Sequence, residues 1–250
     1  MCGRDWSFMT ELEASLQGWM ELSVDEVFDN FSALEPERQF DSGFKDTRFL
    51  YIPGARADRV LLVAHADTVY DDIPGYQASI EYTGGVYSSK LADAGIGADD
   101  RAGCALLWEL NDLGHSLLIT SGEEKGCIAS RAIAEQYPGL MDELNGHRFM
   151  VQFDRRHATD YKCYDIGTDT FRAFVEANTG YTEPDRRAST DIRVLARDIC
   201  GVNISVGYYN EHTPQETLVF SEWHHTLETV RRWLSQPDLP RFERRAAAGE

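Results

Sequence analysis

Apolar positions along the chain change period several times, and each change predicts an element. TELEASLQGWMELS and VDEVFDNFSAL carry them at helical spacing, with acidic residues early in the second, so the first forty residues read as helix. TRFLYIP and RVLLVAHAD read as strands, and the unbroken apolar run of the second predicts burial on both faces. YQASIEYTGGVYSSKL is an excursion that turns at its Gly-Gly pair. AGCALLWELND is an amphipathic helix, ended by Gly114. Further on, HSLLITSGEE, HRFMVQFD, YKCYDI and GVNISVGYY read as strands. IASRAIAEQY, TFRAFVEAN, DIRVLARDI and ETLVFSEWHHTLETVRRWL read as helices. Strand and helix in repeated order predict an α/β fold with a largely parallel sheet covered by helices on both faces. No internal repeat or Pro/Gly/Ser-rich linker divides the chain. Residues 1–250 therefore read as one domain, with a helical segment over about 1–40 and a frayed tail over about 237–250 whose arginines are solvated.

Composition narrows the class. An apolar fraction of 42%, with 12 Phe, 11 Tyr and 5 Trp, is ample for a large core. The net charge of −18 argues against nucleic acid or an anionic membrane as partner, since both are polyanions. No apolar run is long enough to span a bilayer, and the N-terminus lacks the basic-then-apolar order of a signal peptide. Five scattered cysteines without a Cys-x-x-Cys pair read as reduced thiols in a cytoplasmic protein.

The chemistry gathers where predicted strands end. LLVAH finishes on His65 and reaches Asp67 two residues later. Asp99 and Asp100 stand in GADDRAG, Glu123 and Glu124 in SGEE, Asp154 in FDRR and His212 in NEHTPQE. In open α/β sheets functional groups collect at the carboxyl edge of the strands. Each segment has a plain reading by itself. Asp99-Asp100 and Glu123-Glu124 would be acidic first turns of helices, and a single Asp154 or His212 would be a satisfied hydrogen-bonding group. As a set, His65, Asp99, Glu124, Asp154 and His212 supply two imidazoles and three carboxylates, which suits borderline divalent metals such as zinc. With one carboxylate bridging, each of two metals about 3.5–4 Å apart would have one His and two carboxylates. Asp67 would then orient His65, and Glu123 would be free to shuttle a proton.

The order HAD, GADDRAG, SGEE, FDRR, NEHTPQE resembles the zinc-dependent exopeptidase superfamily over roughly residues 60 to 216. That superfamily includes the co-catalytic di-zinc aminopeptidases, peptidase T-like tripeptidases and related carboxypeptidases and deacylases. The resemblance implies a three-layer, phosphorylase/hydrolase-like sandwich with a mostly parallel, mixed sheet. It implies that Asp99 bridges and precedes a cis peptide bond, that His65 and Asp154 complete one metal site, and that Glu124 and His212 complete the other. It makes Glu123 the general base and Asp67 the acid supporting His65. The interval from Asp154 to His212 is too short for the inserted domain of carboxypeptidase-like relatives, whereas YKCYDIGTDTF is closer to the peptidase T-like pattern.

Substrate choice is read from fewer residues. Tyr208 and Tyr209 could lend a phenol to the pocket, and alternation along a strand means that at least one simply packs. Arg155, Arg156, His157 and Arg101 could bind a substrate carboxylate, against the plain reading of ordinary ion pairs. Asp191 in ASTDIRV is more simply a helix start, with a place near the metals as the alternative. His115, His147, His224 and His225 read as loop, surface or packing positions, and Cys127 as a small buried hydrophobe. These readings lead to a cytoplasmic metallopeptidase that uses two divalent ions, zinc first with cobalt or manganese also suited, to cleave short peptides from the N-terminus. A deacylase or carboxypeptidase-type amidohydrolase on a small N-acyl substrate, a single-zinc glutaminyl cyclase-like enzyme, and a non-catalytic binding protein on the same fold stay as alternatives. A homo-oligomer stays open.

Overall fold

The computed structural model of the chain describes residues 10–34, 40–43, 47–184 and 190–244. Two short helices open it, α1 (Glu11–Glu21) and α2 (Val24–Ser32). Each starts at a capping box, Thr10 with Glu13 and Ser23 with Glu26, in which side chain and backbone satisfy each other's free groups. Then come β1 (Phe40–Asp41), β2 (Phe49–Ile52), β3 (Leu61–His65), and the hairpin β4 (Ile80–Thr83) and β5 (Val86–Ser89), which turns at Gly84-Gly85 with both glycines at positive φ. Next are α3 (Ala98–Leu110), a 3₁₀ turn over Asn111–Leu113 closed by left-handed Gly114, and β6 (Ser116–Thr120). The elements α4 (Ile128–Gln136), α5 (Pro138–Leu144), β7 (Met150–Arg155), β8 (Tyr161–Lys162), α6 (Asp169–Thr179), α7 (Asp191–Leu195) and β9 (Gly201–Ser205) follow. The chain closes with β10 (Tyr208–Tyr209), β11 (Thr217–Val219) and α8 (Phe220–Leu234).

Seven strands form one mixed sheet in the order β1-β2-β6-β3-β7-β9-β8. Its four inner strands, β6, β3, β7 and β9, run parallel, while β1, β2 and β8 pair antiparallel at the edges. Alternate side chains serve opposite faces. Leu62, Ala64, Val151 and Phe153 pack with residues of α1, α3 and α8. Leu61, Val63, Leu118 and Met150 pack with Ala129, Ile133, Leu144, Ile192 and Leu195 of α4, α5 and α7. This is the expected three-layer α/β sandwich.

Strand β3 lies between β6 and β7, so the chain leaves it to one side and later returns on the other. At such a switch point the loops after adjacent strands part, and a crevice opens at their carboxyl ends. His65 is the last residue of β3.

Several elements differ from the periodicity reading. A second, antiparallel sheet, β10-β11-β5-β4, takes up Tyr208–Tyr209 and Thr217–Val219, which were expected within a strand and a helix. YKCYDI contributes only two strand residues, and DIRVLARDI only five helical ones. The tail is docked through residue 244. Phe242 packs against Phe149, Phe171 and Phe174, and the Cys200 N–H donates to the Phe242 carbonyl. Arg241 and Arg244 donate to the carbonyls of His147, Asn145 and Ala196, so these two arginines, though still partly exposed, are tied to the body of the protein. The remainder of the expected frayed tail, 245–250, and parts of the expected N-terminal helical segment, 1–9 and 35–39, lie outside the described residues. Among the described residues no helix is long and apolar enough to cross a membrane, and Cys104, Cys127, Cys163 and Cys200 are free thiols.

Candidate active site

His65 ends β3 fully buried. Its Nδ1 donates to the Asp67 carbonyl at 2.9 Å, with Asp67 Oδ1 3.5 Å away. A carbonyl can only accept, so in the neutral ring the proton is on Nδ1 and the lone pair is on Nε2. That Nε2 faces Asp99 Oδ1 at 3.3 Å and Asp154 Oδ1 at 3.6 Å. Neither Nε2 nor Asp99 Oδ1 has a hydrogen-bond partner. A lone pair facing two carboxylates is stable only if a cation lies among them. Burial opposes charge on this imidazole, yet Asp154, Asp67 and Asp99 raise its pKa well above the ordinary value, so the ring is charged unless another cation takes that place.

The other oxygen of Asp99 faces the second imidazole. His212 Nε2 is 3.2 Å from Asp99 Oδ2 and 2.9 Å from Glu124 Oε1. These carboxylates, Asp99 first, push the His212 pKa up to about 11 against its partial burial. Asp99 is held well below the carboxylate range by His212 and His65 despite burial. Its φ/ψ is not helical, so the acidic pair is not an ordinary first turn, and the Asp99–Asp100 peptide bond is cis, as the resemblance implies. Oxygen and nitrogen atoms of His65, Asp99 and Glu124, and likewise of His65, Asp100 and Asp154, lie within 4.8 Å of one another. Asp100 also holds the strand end, its Oδ2 accepting the His65 N–H at 3.1 Å, while its Oδ1, like that of Asp99, has no hydrogen-bond partner.

Asp154, near the end of β7, accepts from Thr190 Oγ1 at 2.6 Å and from Tyr208 Oη at 3.4 Å. Burial pushes its pKa up to about 7. Glu123 and Glu124 leave β6 together, and their backbone N–H groups donate to Asp67 Oδ1 and Oδ2 at 3.2 and 3.3 Å. The Asp67 side chain therefore holds the backbone of the Glu pair while its Oδ1 stays 3.5 Å from His65 Nδ1, and its carbonyl orients the same ring. Burial, then the negative Asp154, pushes the Glu123 pKa up to about 9. Glu123, Glu124, Asp99, Asp154, Tyr208 and His212 all border one cavity of about 160 Å³.

The remaining candidates divide. Arg155 borders this cavity almost fully buried, its Nε and Nη2 without hydrogen-bond partners and Asp160 Oδ2 3.7 Å from Nη2. Arg156 pairs with Glu211 at 2.6 Å on the same wall. Tyr209 is turned away, donating to Glu222 Oε2 of α8 at 2.8 Å. Asp191 is sealed in the core, where it accepts from Thr120 and Ser130 at 2.5 Å and ties α7 to β6 and α4. Arg101 is buried beneath the strand end, bound to Asp71 at 2.6 Å and to the Ala66 carbonyl. His157 faces Asp160. Sequence reasoning missed Glu216, although it stands in the quoted NEHTPQE. Its buried carboxylate accepts the backbone N–H groups of Ile96, Gly97 and Asp99.

An acid and imidazole cluster at the switch point of a mixed α/β sheet is the arrangement of a metal-dependent hydrolase. Residues 50–236 match the model of Peptidase family M28, and the chain belongs to that family of metallopeptidases. No curated protein matches the sequence. Similar solved structures include the aminopeptidase PepT of Bacillus cereus, 14% identical with a TM-score of 0.65 over 90% of this chain and 97% of that one. A tripeptidase of Staphylococcus aureus is 12% identical with a TM-score of 0.70 over the same shares. The TET1 peptidase of Pyrococcus horikoshii is 10% identical with a TM-score of 0.62 over 89% and 98%. These distant neighbours share the fold.

Proposed function

We propose that this protein is a cytoplasmic, single-domain aminopeptidase that holds two zinc ions and cleaves short peptides from the N-terminus. One observation carries the reading: the two oxygens of Asp99 face two different imidazoles, at 3.3 and 3.2 Å. The donor set fits two cations that share Asp99, one held also by His65 and Asp154, the other by Glu124 and His212. Bound there, they would supply Lewis acidity to the scissile carbonyl and acidify the attacking water. Glu123 takes the proton of that water as the C–O bond forms, then gives it to the amine nitrogen as the C–N bond breaks. The Tyr208 hydroxyl, aimed at Asp154 from the cavity wall, orients that carboxylate and the substrate. Glu211 supports a free-amine substrate as a carboxylate on the cavity wall: its Oε1 is paired with Arg156, and its Oε2 has no hydrogen-bond partner and could accept an ammonium.

A second reading, a deacylase or carboxypeptidase-type amidohydrolase, is favoured by Arg155, whose Nε and Nη2 lack hydrogen-bond partners and whose nearest carboxylate, Asp160, is 3.7 Å away, which suits a substrate carboxylate. Elemental analysis and a panel of amino-acid amides separate the readings. Two zinc ions per chain with cleavage of free-amine amides match the aminopeptidase; cleavage confined to N-acyl compounds selects the deacylase. Glu123→Gln is expected to keep both ions and lose about 10²–10⁴ in kcat. A variant with unchanged turnover removes Glu123 from proton transfer. The TET1 peptidase of Pyrococcus horikoshii assembles into a tetrahedron or a large octahedral shell, and a homo-oligomer is proposed here by analogy.

A further inference from the structure

The Glu216 side chain is the least explained group near the site. Its residue is 1% exposed, and its carboxylate accepts the N–H groups of Ile96 at 2.9 Å and Gly97 at 2.8 Å on Oε2 and of Asp99 at 3.1 Å on Oε1. A buried carboxylate is costly unless such donors replace water, and three backbone donors on one side chain amount to a built receptor for it. The two stretches joined are those that carry Asp99 and His212. On the Glu216 side, its own N–H donates to the Thr213 carbonyl at 3.0 Å, one residue beyond His212. Tyr70 Oη donates to the same carbonyl at 2.9 Å. On the other side, Gly95 permits the approach: a Cβ there would sit 2.4 Å from Glu216 Oε2 and 2.4 Å from Tyr70 Oη.

The two halves of the cluster need this tie unequally. His65 is fixed by β3, by its N–H to Asp100 and by Nδ1 to the Asp67 carbonyl. Asp154 is fixed by β7, Thr190 and Gln152. His212 belongs to no strand or helix, has a left-handed φ of 63°, and is half exposed. We infer that Glu216 is a positioning residue that straps the 95–99 loop to the 212–216 turn. It thereby sets the place of His212 relative to Asp99 and governs the affinity for the cation held by Asp99, Glu124 and His212, more than for that held by Asp99, His65 and Asp154. This inference rests on the two-cation reading.

Glu216→Gln tests it with an isosteric side chain. An amide has one acceptor oxygen, so its NH₂ must face the donor of Asp99 or those of Ile96 and Gly97. Titrating the metal-free chains with zinc by calorimetry should show two ions in the wild type. In the variant the first should bind as before and the second about tenfold or more weakly, with loss of hydrogen-exchange protection at Asp99 or at Ile96 and Gly97. A purely structural role would lower melting temperature without separating the two affinities. Equal weakening of both ions, or a second affinity within about threefold of wild type, overturns the inference. Should the variant not fold, hydrogen exchange on the metal-free wild type decides. Slow exchange at Ile96, Gly97 and Asp99 supports the strap, and exchange at open-loop rates overturns it. A wild-type chain that takes up fewer than two zinc ions overturns the two-cation reading instead, and the exchange result still judges the strap.

Discussion

His115 and His147 show what burial does to single residues in this chain. Both were read as ordinary loop positions, and both are core hydrogen-bond junctions. His115 Nδ1 accepts the Val60 N–H at 3.2 Å while Nε2 donates to the Leu234 carbonyl at 3.0 Å, a pairing only the neutral ring can make. His147 Nδ1 donates to the Leu144 carbonyl and Nε2 meets Ser116 Oγ at 2.7 Å. Burial pushes both imidazoles down to about 4. The unfolded chain then takes up two protons that the folded chain refuses between about pH 6.5 and 4, so these residues withdraw stability as pH falls through that window. Each withdraws on the order of 3 kcal/mol at the acid end. The ring proton resonances of both should stay unshifted down to pH 5, while the urea midpoint falls from pH 7 to 5; a titration near pH 6.5 at either ring contradicts the argument. Apart from the Leu144 carbonyl three residues before His147, their partners lie tens of residues away in sequence, which is why a reading of neighbours could not find them. His65 and His212 were legible because their segments carry several ligand types at once.

At the scale of elements, α3 is the instructive case. Its pattern reads as amphipathic, yet nearly every residue from Ala98 to Leu107 is buried, because the helix is sandwiched between β3 and β7 on one side and α1 and α8 on the other. Small residues allow this. A Cβ on Gly103 would stand 2.1 Å from both the Phe153 carbonyl of β7 and Asp100 Oδ1. Gly103→Ala should therefore cost about 1–3 kcal/mol or more through overpacking, read as a lower urea midpoint with unchanged slope. A stability equal to wild type would mean that α3 can slide off β7. Strand β11 and helix α8 merge in the sequence into one apolar-rich run. Pairing with β5, more than a hundred residues earlier, and with β10 makes Thr217–Val219 a strand.

For the whole molecule, the cluster and the tail act as two closures. Five acidic side chains around the cavity repel one another, and cations relieve that repulsion only in the folded chain. Zinc at about a thousand times its dissociation constant should add about 4 kcal/mol, raising the melting temperature by about 10 °C, with reversal by chelator. A melting temperature indifferent to zinc would refute a built metal site. The tail closes the other end. Phe242 joins Phe149, Phe171, Phe174 and Trp233 in an aromatic cluster, so Phe242→Ala should cost about 2–3 kcal/mol, checked by urea denaturation. A truly frayed end would show no change.

The local sequence alone determined the α/β alternation, the burial of LLVAH, the Gly-Gly hairpin and the set of His, Asp and Glu residues at strand ends. All of these follow from period and residue type, which are local properties. Tertiary structure alone decided that the two oxygens of Asp99 face two imidazoles, that Tyr208 turns inward and Tyr209 outward, that Asp191 is a core bolt, and that Glu216 holds the loop ahead of Asp99. Those outcomes depend on which distant backbone donor or hydroxyl arrives beside a carboxylate once the layers close, and no periodicity carries that information.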